Sequence, residues 1–359
     1  MDILQTLSET VEAVQKELNK IFQINGGKEE QLGSFGDKFY TEFDNYLTNA
    51  GKRIRPFLTR TAFEAVGGNH DEGNITKASL AIELLHSGSL LHDDVIDKDE
   101  TRRGKPSFYV IFREMYKEKV NPDSIKAQDF GEAMSIFAGD LCFPFAIESI
   151  ITSGFPEDRK IKALHAFTEA FREVIDGVII ETGSSVFNES TEEEYMRMIY
   201  LKTGALIRKA VEIGAILGDG SDKQISALVD YCDNLGKAFQ IQDDVLGVFA
   251  DPKVLGKPVG GDIREGKFTI LRIIALKNGT PKQKERLNQL MGKEDLTDDE
   301  LIEVQKIYKD TGALDYAIKL IEQTSTNSIT ALEKADPALE PKAKELLILL
   351  SQFLAQRSK

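Results

Sequence analysis

Apolar residues recur at three- and four-residue spacing along nearly the whole of this 359-residue chain. Runs that alternate strictly between apolar and polar residues, bounded by turn residues, are hard to find. The first spacing is that of one face of an amphipathic helix, whereas the second is typical of a half-buried strand. The pattern therefore predicts an all-α fold.

Several helix ends can be placed from the sequence. Thr191 with Glu194, and Thr297 with Glu300, have the spacing of a capping box, so helices are predicted to begin there. Helix breakers separate the predicted helices at Gly67-Gly68, Gly104 to Pro106, Asp251-Pro252, Gly256 to Gly261 and Asp336-Pro337. None of these separators is long or biased enough to be an interdomain linker, and no internal repeat is visible. We therefore expect residues 1–359 to form a single domain.

The charge balance excludes some classes of partner. With 59 Asp and Glu against 45 Lys and Arg, the formal net charge is -14. Such a chain repels phosphate backbones and anionic lipid surfaces at long range, so we expect neither nucleic acid nor a membrane surface as a partner. Any phosphate group that the protein binds must be held by a local basic site or by a metal ion.

Cysteine usage and the N-terminal segment indicate a cytoplasmic protein. Cys142 and Cys232 have neither CxxC nor Cys/His spacing, so buried thiols in a reducing compartment are the favoured interpretation. The N-terminal residues mix acidic and apolar side chains at helical spacing, unlike a signal peptide. No stretch is expected to approach the roughly 20 apolar residues of a membrane helix, so no membrane span is predicted.

The most informative segment is residues 81–107, AIELLHSGSLLHDDVIDKDETRRGKPS. There an apolar predicted helix runs into Asp93, Asp94 and Asp97. Asp93 and Asp97 are four residues apart, so their Cβ atoms lie about 5–6 Å apart on one helix face. Like charges at that spacing repel each other. A hard divalent cation that bridged the two carboxylates would offset this repulsion, and the pair would then form a metal-binding site. A solvated acidic helix end is the alternative interpretation for this motif alone.

A second acidic pair follows 150 residues after the first. Asp243 and Asp244 lie in AFQIQDDVLGVFADP, within an apolar helical run. Two acidic clusters on two apolar helices predict the facing walls of a single metal-binding cavity.

Basic residues also occur in compact groups near the acidic motifs. They are Lys52, Arg53, Arg55, Arg102, Arg103, Lys105, Lys202, Lys257 and Lys267. In so acidic a chain these groups predict diphosphate binding, since Arg pairs bidentately with phosphate oxygens and Mg²⁺ bridges phosphate to carboxylate. The sequence contains no GxxxxGKS/T, HExxH or GxSxG motif and no GxGxxG after a strand that would indicate another chemistry.

Five separate motifs give the chain a resemblance to the trans-isoprenyl diphosphate synthases, the polyprenyl synthetase family. GKRIRP is similar to the family's GGKRxRP, and ELLHSGSLLHDDVIDKDETRRGKP is similar to its first aspartate-rich motif. YLKTGALI, FQIQDD and GKPVGGDIREGKFTIL supply the other three. The resemblance covers roughly residues 45–275. It implies one large helical bundle around a deep central cavity, and the condensation of isopentenyl diphosphate with an allylic diphosphate.

The resemblance also implies a role for each matching residue. The implied ligands of isopentenyl diphosphate are Lys52, Arg55, His86 and Arg103. The implied ligands of the allylic diphosphate are Arg102, Lys202, Lys257 and Lys267. The residues implied to stabilise the allylic cation are Lys202, Thr203 and Gln240. Three Mg²⁺ ions are implied as cofactors, with Asp243 as the main ligand of the second motif and the full set Asp93, Asp94, Asp97, Asp243 and Asp244.

The chain departs from the family pattern in three places. Gly247 stands where many members have the last Asp of the second motif, which gives a DDxxG form similar to that of some geranylgeranyl synthases. The family's double glycine is reduced to Gly51. Gly177-Val178 replaces a Gly-Gln pair on an inner helix, so one polar contact with the substrate is not carried over.

Product length is expected to depend on the residues one helical turn before Asp93, which face the growing chain. Gly88 and Ser89 stand where short-chain farnesyl synthases resemble one another in having aromatic residues. The resemblance therefore implies a product of C20 or longer, with Leu85, Ile82 or a residue on a facing helix as the next stop.

Two other functions are compatible with parts of the pattern. A class I terpene cyclase also uses DDxxD on a helical fold, but it lacks the isopentenyl site, so Lys52, Arg55 and Arg103 argue against it. A non-catalytic regulatory subunit of a heteromeric synthase keeps the fold but is expected to lose the aspartate motifs, both of which this chain keeps. The resemblance also implies a homodimer, in line with the prevalence of symmetric assemblies.

Overall fold

Helices make up almost all of the regular structure in this computed structural model, which describes residues 3–25, 29–49, 51–69, 74–250 and 259–355. The first seven helices are α1 (Ile3–Asn25), α2 (Glu29–Thr48), α3 (Ile54–Ala65), α4 (Ile75–Ile96), α5 (Phe108–Lys119), α6 (Lys126–Ile151) and α7 (Glu157–Phe187). They are followed by α8 (Glu192–Ile199), a π-helical turn (Tyr200–Gly204), α9 (Ala205–Leu217), α10 (Asp222–Phe249), α11 (Gly261–Arg264) and α12 (Ile270–Asn278). The C-terminal elements are α13 (Pro281–Leu290), α14 (Asp298–Asp310), α15 (Ala313–Ala331), a 3₁₀ turn (Leu332–Lys334) and α16 (Pro341–Ala355). The predicted all-α fold is confirmed.

A short hairpin interrupts the helices between α4 and α5. Strands β1 (Thr101–Arg102) and β2 (Lys105–Pro106) pair in antiparallel fashion, with Arg102 opposite Lys105. The turn between them consists of Arg103 and Gly104, whose φ angles are 53° and 73°. Two successive residues at positive φ fit the right-handed twist of a tight hairpin. Strands of two residues are too short for the alternation rule to detect.

The predicted capping boxes are confirmed. The side chain of Thr191 accepts a hydrogen bond from the Glu194 backbone at the start of α8, and Thr297 does the same with Glu300 at the start of α14. Two further capping boxes lie at Ser221 and Thr280. Each box satisfies backbone N–H groups that the helix leaves without an acceptor, which is worth about 1 kcal/mol per cap.

The chain divides into two compact units. Unit 1 consists of Met1–Glu64, Gly68–Phe167 and Ile213–Asp219, and unit 2 consists of Ala65–Gly67, Thr168–Glu212 and Gly220–Lys359. The expectation of a single domain stays a prediction.

In unit 1 the helix that carries the first aspartate motif packs along α6. Gly88 and Gly139 let the two backbones come close, since a Cβ at Gly88 would lie 3.0 Å from Cys142 Cβ and a Cβ at Gly139 would overlap the His92 ring. The inner face of α4 is apolar, and Leu85 is fully buried there. Tight packing of this kind fixes the helix end that bears the acidic residues.

In unit 2 the core surrounds α10, which carries the second acidic pair and packs along α15. Ile241 and Val248 of α10 are buried in one cluster with Leu271, Val304 and Tyr308. Full burial of each large apolar side chain contributes roughly 1.5–3 kcal/mol. The polar residues Gln240, Asp243 and Asp244 are thus set on a helix whose other face is anchored in the core.

Helix α6 departs from one expectation. By length and composition alone, it is long and apolar enough to cross a membrane. The expectation that no stretch approaches this level is therefore wrong. Residues such as Met134, Ala138 and Cys142 are buried where α6 packs against α4 and α5, and a core helix of this kind passes the same test. Cys142 and Cys232 are both buried free thiols, as predicted.

Candidate active site

Three of the predicted isopentenyl diphosphate ligands lie near one another in unit 1. Arg103 donates a hydrogen bond from Nη1 to the backbone oxygen of Asn49 at 2.8 Å. It also lies against Gly51, where an added Cβ would be 3.4 Å from Arg103 Nη2. Burial, together with the positive charges of Arg55 and Arg103, holds the pKa of His86 well below its ordinary value. The imidazole is therefore neutral at physiological pH, and one ring nitrogen still carries a proton for donation.

The residue between Lys52 and Arg55 holds their loop in place. Arg53 is buried, has φ 49°, and donates hydrogen bonds to the Glu83 carboxylate at 2.5 Å and to the Leu47 backbone oxygen at 2.5 Å. The ion pair of Arg53 with Glu83 neutralises two buried charges and connects the loop to α4. Lys52 is exposed on the same loop.

The first acidic region consists of Asp93, Asp94 and Asp97 together with Arg102. Asp94 is fully buried and accepts hydrogen bonds from Arg102 Nε at 2.7 Å and from Arg102 Nη2. Arg102 Nη2 also donates to Asp99 at 2.9 Å. Burial raises the pKa of Asp94 to about 6, although Arg102 opposes the shift. This region therefore contains its own counter-cation.

Asp93 and Asp97 lie at the end of α4. The helix ends at Ile96, and the backbone N–H of Asp97 caps it by donating to the Asp93 backbone oxygen at 2.8 Å. Asp93 is half-buried and Asp97 is exposed. The predicted placement of both residues at the end of an otherwise buried helix is confirmed.

A cavity of about 180 Å³ lies within unit 2. Its charged lining residues are Glu181, Lys202, Asp243, Asp244, Asp262 and Lys267. Four acids thus face two lysines, so the lining carries an excess of negative charge. The second acidic region is defined by Asp243, Asp244 and Asp262.

A chain of hydrogen bonds crosses this cavity. Thr203 Oγ1 donates to Gln240 Oε1 at 2.7 Å, and Gln240 Nε2 donates to Asp244 Oδ1 at 2.9 Å. Tyr195 donates its hydroxyl proton to Asp244 Oδ2 at 2.7 Å. Burial, and then the charge of Asp262, raise the pKa of Asp244 well above its ordinary value. Asp244 is held by two neutral donors, so its hydrogen bonds bring no compensating positive charge.

Lys202 and Thr203 lie on the π-helical turn Tyr200–Gly204. The helix predicted to begin after Thr191 thus contains a π-helical turn between α8 and α9, which the sequence pattern did not indicate. The buried guanidinium of Arg208 donates to the Tyr200 backbone oxygen at 2.6 Å, stacks 3.4 Å from the Tyr200 ring centroid, and pairs with Glu173 at 2.6 Å. Such turns widen the helix and are frequent at functional sites. This one aims both side chains into the cavity.

Both lysines of the cavity are engaged by carboxylates. Lys202 pairs with Glu181, and Lys267 pairs with Glu265 at 2.5 Å. Burial opposes a charged Lys267, but Glu265 and Glu181 outweigh it and raise the pKa of this lysine. Burial raises the pKa of Asp262 to about 6, against the effect of Lys267. Lys257, the remaining predicted diphosphate ligand, lies outside the described residues.

The predicted chain-length residues occupy three different environments on α4. Leu85 is fully buried, and Gly88 is buried against α6. Ser89 is half-buried and donates from its hydroxyl to the His86 backbone oxygen at 2.8 Å. Of the two positions one turn before Asp93, Gly88 is closed by α6, whereas Ser89 is half-buried.

The carboxylate oxygens of both acidic regions suit a hard divalent cation. Among the described residues, no group of three or more His, Cys, Asp or Glu side chains is close enough to hold a metal ion unaided. Mg²⁺ commonly binds through one or two carboxylates plus substrate phosphates and waters. The donor set fits that mode, and Asp94 Oδ2 is buried with no hydrogen-bond partner among the described residues.

Reasoning from the sequence missed three residues of the cavity. Glu181 lies on α7, Tyr195 lies on α8, and Asp262 lies on α11. Tyr195 meets Asp244 across 49 residues of sequence, a distance at which no periodicity gives a signal. Asp262 belongs to GKPVGGDIREGKFTIL, the motif that supplies Lys257 and Lys267. The position of Asp262 within this motif is a signal by which its carboxylate could have been found.

Comparisons with known proteins identify the family to which the chain is similar. A family model described as polyprenyl synthetase matches residues 37–310. The chain is 38% identical over 315 residues to a short chain isoprenyl diphosphate synthase of Methanothermobacter thermautotrophicus, covering 88% of this chain and 89% of that protein. It is 33% identical over 324 residues to a geranylgeranyl diphosphate synthase of Sulfolobus acidocaldarius, covering 90% and 92%.

A solved structure extends the likeness to the three-dimensional fold. It is the geranylgeranyl pyrophosphate synthase of Corynebacterium glutamicum complexed with isoprenyl diphosphate and magnesium. The two chains superpose with a TM-score of 0.91 at 26% identity, over 99% of this chain and 100% of the other.

Proposed function

This chain belongs to the polyprenyl synthetase family, and we propose that it condenses isopentenyl diphosphate with an allylic diphosphate, head to tail and in trans, to give a product of C20 or longer. It is a trans-prenyltransferase. The observation that carries the proposal is the hydrogen-bonded chain from Thr203 through Gln240 to Asp244, set beside Lys202 in an acidic cavity. That arrangement offers oxygen dipoles for a cation and acidic groups for metal-bridged diphosphate.

Isopentenyl diphosphate binds to Lys52, Arg55, His86 and Arg103 in this proposal. Arg55, His86 and Arg103 influence one another electrostatically in unit 1, and guanidinium groups pair with phosphate oxygens bidentately. The neutral His86 donates a hydrogen bond without adding to the repulsion among the arginines. Arg53 positions the loop through its pairing with Glu83.

The allylic diphosphate binds to Arg102, Lys202, Lys257 and Lys267. Arg102 and the two lysines of the cavity now hold Asp94, Glu181 and Glu265. Each of these pairings is an ion pair that a phosphate oxygen can replace. When the diphosphate binds, its oxygens thus take the place of the carboxylate that each of these cations now holds.

The reaction breaks a carbon–oxygen and a carbon–hydrogen bond and forms a carbon–carbon and an oxygen–hydrogen bond. The carbon–oxygen bond of the allylic diphosphate breaks, and the double bond of isopentenyl diphosphate attacks the resulting cation to form a carbon–carbon bond. A proton is then lost to the departed diphosphate. Thr203 Oγ1, Gln240 Oε1 and the Lys202 backbone oxygen stabilise the cation, while apolar walls exclude water that would quench it.

Magnesium is the proposed cofactor, and three ions are expected. Its ligands are Asp93, Asp94 and Asp97 in the first acidic region and Asp243, the main ligand, with Asp244 in the second. When bound, Mg²⁺ neutralises the charge that develops on the leaving diphosphate. A carboxylate donor set and an excess of negative charge in the cavity support this assignment.

Assembly and compartment are further parts of the proposal. Four large apolar side chains of α6 in unit 1 are exposed, namely Ile136, Phe137, Ile147 and Ile151. Exposed large apolar side chains gathered on one helix are typical of a protein interface, so they support a homodimer. The enzyme is expected in the cytoplasm, with no nucleic-acid partner and no membrane span.

One assay tests the main proposal. The purified full-length protein is incubated with isopentenyl diphosphate, Mg²⁺ and a series of allylic starters, and the products are sized by chromatography. We expect condensation that requires both Mg²⁺ and isopentenyl diphosphate. Product formation without isopentenyl diphosphate would instead indicate a cyclase, and no product with any starter would contradict the proposal. Products of only C10 or C15 would contradict the proposed length alone.

A single substitution tests the chain-length residues. Ser89→Phe places an aromatic ring on α4 one turn before Asp93, so it is expected to shorten the product while condensation continues. Gly88→Phe is the matched comparison, because Gly88 packs against α6 with no room for a side chain. We expect Gly88→Phe to destabilise the fold by overpacking, about 1–3 kcal/mol or more. An unchanged product from a folded Ser89→Phe variant would remove Ser89 from chain-length control.

A further inference from the structure

We propose that Arg272 is a positioning residue of unit 2, whose guanidinium joins the segment that carries Lys267 to the loop that follows α7. The inference rests on the proposed function, in which Lys267 binds the allylic diphosphate. Arg272 lies in the first turn of α12 and is 1% exposed. Its Nη1 donates to the Gly266 backbone oxygen at 2.6 Å, and its Nη2 donates to Asn188 Oδ1 at 2.6 Å. We call these two hydrogen bonds the Arg272 bridge.

The two segments that the Arg272 bridge connects both line the cavity of unit 2. Their lining residues are Ser190, Lys267, Phe268 and Thr269. Asn188 lies two residues before Ser190, and Gly266 directly precedes Lys267. The guanidinium carbon of Arg272 also lies 3.6 Å from the centroid of the Phe268 ring. Arg272 therefore contacts both segments of the lining, although it is not itself a lining residue.

The peptide unit between Gly266 and Lys267 is held at both of its polar groups. The Gly266 oxygen accepts from Arg272, and the Lys267 N–H donates to the Asp262 backbone oxygen at 2.9 Å. Because a peptide unit is planar, two such hydrogen bonds fix its orientation. Gly266 has φ 68°, a conformation that glycine adopts without strain. The direction in which the Lys267 side chain leaves the backbone thus depends on Arg272.

Core packing alone accounts poorly for a cation at this position. The acceptors of the Arg272 bridge are a backbone oxygen and an amide oxygen, and Arg272 Nε is buried with no hydrogen-bond partner among the described residues. No carboxylate in the described part of the chain pairs with the guanidinium. Burial lowers the pKa of Arg272 to about 10, so the side chain is still charged at neutral pH. A buried cation without a carboxylate is costly, whereas a planar fork that reaches two acceptors at once is a property of arginine.

Steady-state kinetics of the full-length protein separate the bridge from the charge. Arg272→Lys keeps the charge but loses the fork, and Arg272→Met loses both. We expect both variants to raise the KM for the allylic diphosphate about 10-fold and to change kcat less than about twofold, since Lys267 is assigned to binding. The KM for isopentenyl diphosphate should stay unchanged, because its proposed ligands lie in unit 1. A loss of folded enzyme would instead lower kcat and change neither KM, and an Arg272→Lys variant with unmodified kinetics would overturn the inference.

Asn188→Gly breaks the bridge from its other end. Asn188 has φ 54°, which glycine adopts without strain, but glycine lacks the acceptor. We expect the KM for the allylic diphosphate to rise as in Arg272→Lys, with no further rise in Asn188→Gly/Arg272→Lys, because both changes remove the same contact. Arg286→Lys is the control, since Arg286 of α13 pairs through its fork with Glu303 at 2.8 Å and does not line the cavity. Additive effects in the double variant would contradict a shared bridge.

Amide hydrogen exchange, followed by mass spectrometry, measures the bridge without turnover. In Arg272→Lys we expect faster exchange in residues 184–191 and in residues 262–269, because both segments lose the same anchor. Arg286→Lys should leave both segments as they are in the unmodified protein. Unchanged exchange of residues 262–269 in Arg272→Lys would overturn the inference. If the unmodified protein condenses no substrates, the proposed function fails, and the exchange rates still decide whether Arg272 holds the segment that carries Lys267.

Discussion

The two acidic regions of this protein differ in the groups that hold their buried carboxylates. In the first acidic region the buried Asp94 is paired with Arg102, which also holds Asp99. In the second, Asp244 is held by Tyr195 and Gln240, which are neutral. The central carboxylate of the first region is therefore paired with a cation, whereas the described partners of Asp244 in the second region are neutral.

The lysines of the second region do not remove this difference. Lys202 pairs with Glu181 and Lys267 with Glu265, and the charge of Lys267 also acts to lower the pKa of Asp262, against the larger effect of burial. The buried carboxylate of the first region is thus paired with a cation before any ligand arrives, whereas that of the second region is held by neutral donors. The same residue type, aspartate on an apolar helix, has different requirements because its partners differ.

The largest expected effect is the loss of the internal cation. Arg102→Met leaves the Asp94 carboxylate buried without its partner, so we expect the free energy of unfolding to fall by about 3–5 kcal/mol. Urea denaturation of the metal-free protein measures the change. In Asp94→Asn/Arg102→Met no charge is left buried, and most of the lost stability should return. An Arg102→Met variant as stable as the unmodified protein would mean that Arg102 is not the counter-cation of this region.

Removal of Lys202 should act on catalysis more than on stability. Lys202→Met deletes an ammonium that we assign to the leaving diphosphate, so kcat is expected to fall about 10²- to 10³-fold, as when one preorganised electrostatic donor is lost. Steady-state condensation rates in the presence of Mg²⁺ measure this fall in kcat. Lys223→Met is the control, since Lys223 is exposed and pairs with Asp336. Equal losses in the two variants would contradict the assignment.

A pH titration of stability probes the second region. Burial raises the pKa of Asp262 to about 6, from an ordinary value of 3.8. A carboxyl group with a raised folded pKa stabilises the fold below pH 3.8, and that contribution is lost as the pH rises through 6. For the metal-free protein we expect this group to lower the free energy of unfolding by roughly 1–3 kcal/mol between pH 4 and pH 7.

Asp262→Asn isolates this contribution from other titrating groups. The difference in unfolding free energy between the unmodified protein and Asp262→Asn should change with pH over the range 4 to 7, in the sense that the variant becomes relatively more stable. Denaturation curves at several pH values, recorded with a chelator present, give this difference. A difference that stays constant with pH would show that Asp262 ionises normally in the folded protein.

Local signals in the sequence were sufficient for the helices and for several site residues. The three- and four-residue spacing predicted the helices, and the boxes at Thr191 and Thr297 depend on residues only three positions apart. The cationic cluster of Arg55, His86 and Arg103 was predicted from motifs, and the structure brings these residues together. In each case the determining residues are close in sequence or belong to a recognised motif.

Other features depend on contacts between distant residues and were missed. The π-helical turn is held by Arg208, whose partner Glu173 lies 35 residues away. The loop with Asp262 meets Gly247 through backbone hydrogen bonds that have no sequence pattern. The arrangement of the second region therefore follows from tertiary packing, which overrides the local helical periodicity.

The smallest expected effect concerns the neutral donor of the second region. Tyr195→Phe removes the hydroxyl that donates to Asp244 Oδ2 and leaves that buried oxygen without its partner, so we expect a loss of about 1–2 kcal/mol in unfolding free energy. Tyr308→Phe is the matched control, because Tyr308 is equally buried in unit 2 but its hydroxyl donates, among the described residues, to the sulfur of Met291 alone, at 3.9 Å. Removal of the Tyr308 hydroxyl should change the free energy of unfolding by less than about 0.5 kcal/mol, since a thioether is a weak acceptor. Equal losses at the two positions would mean that Asp244 gains nothing from the Tyr195 hydroxyl, and the contrast between a cation-held and a neutrally held aspartate would then rest on Gln240 alone.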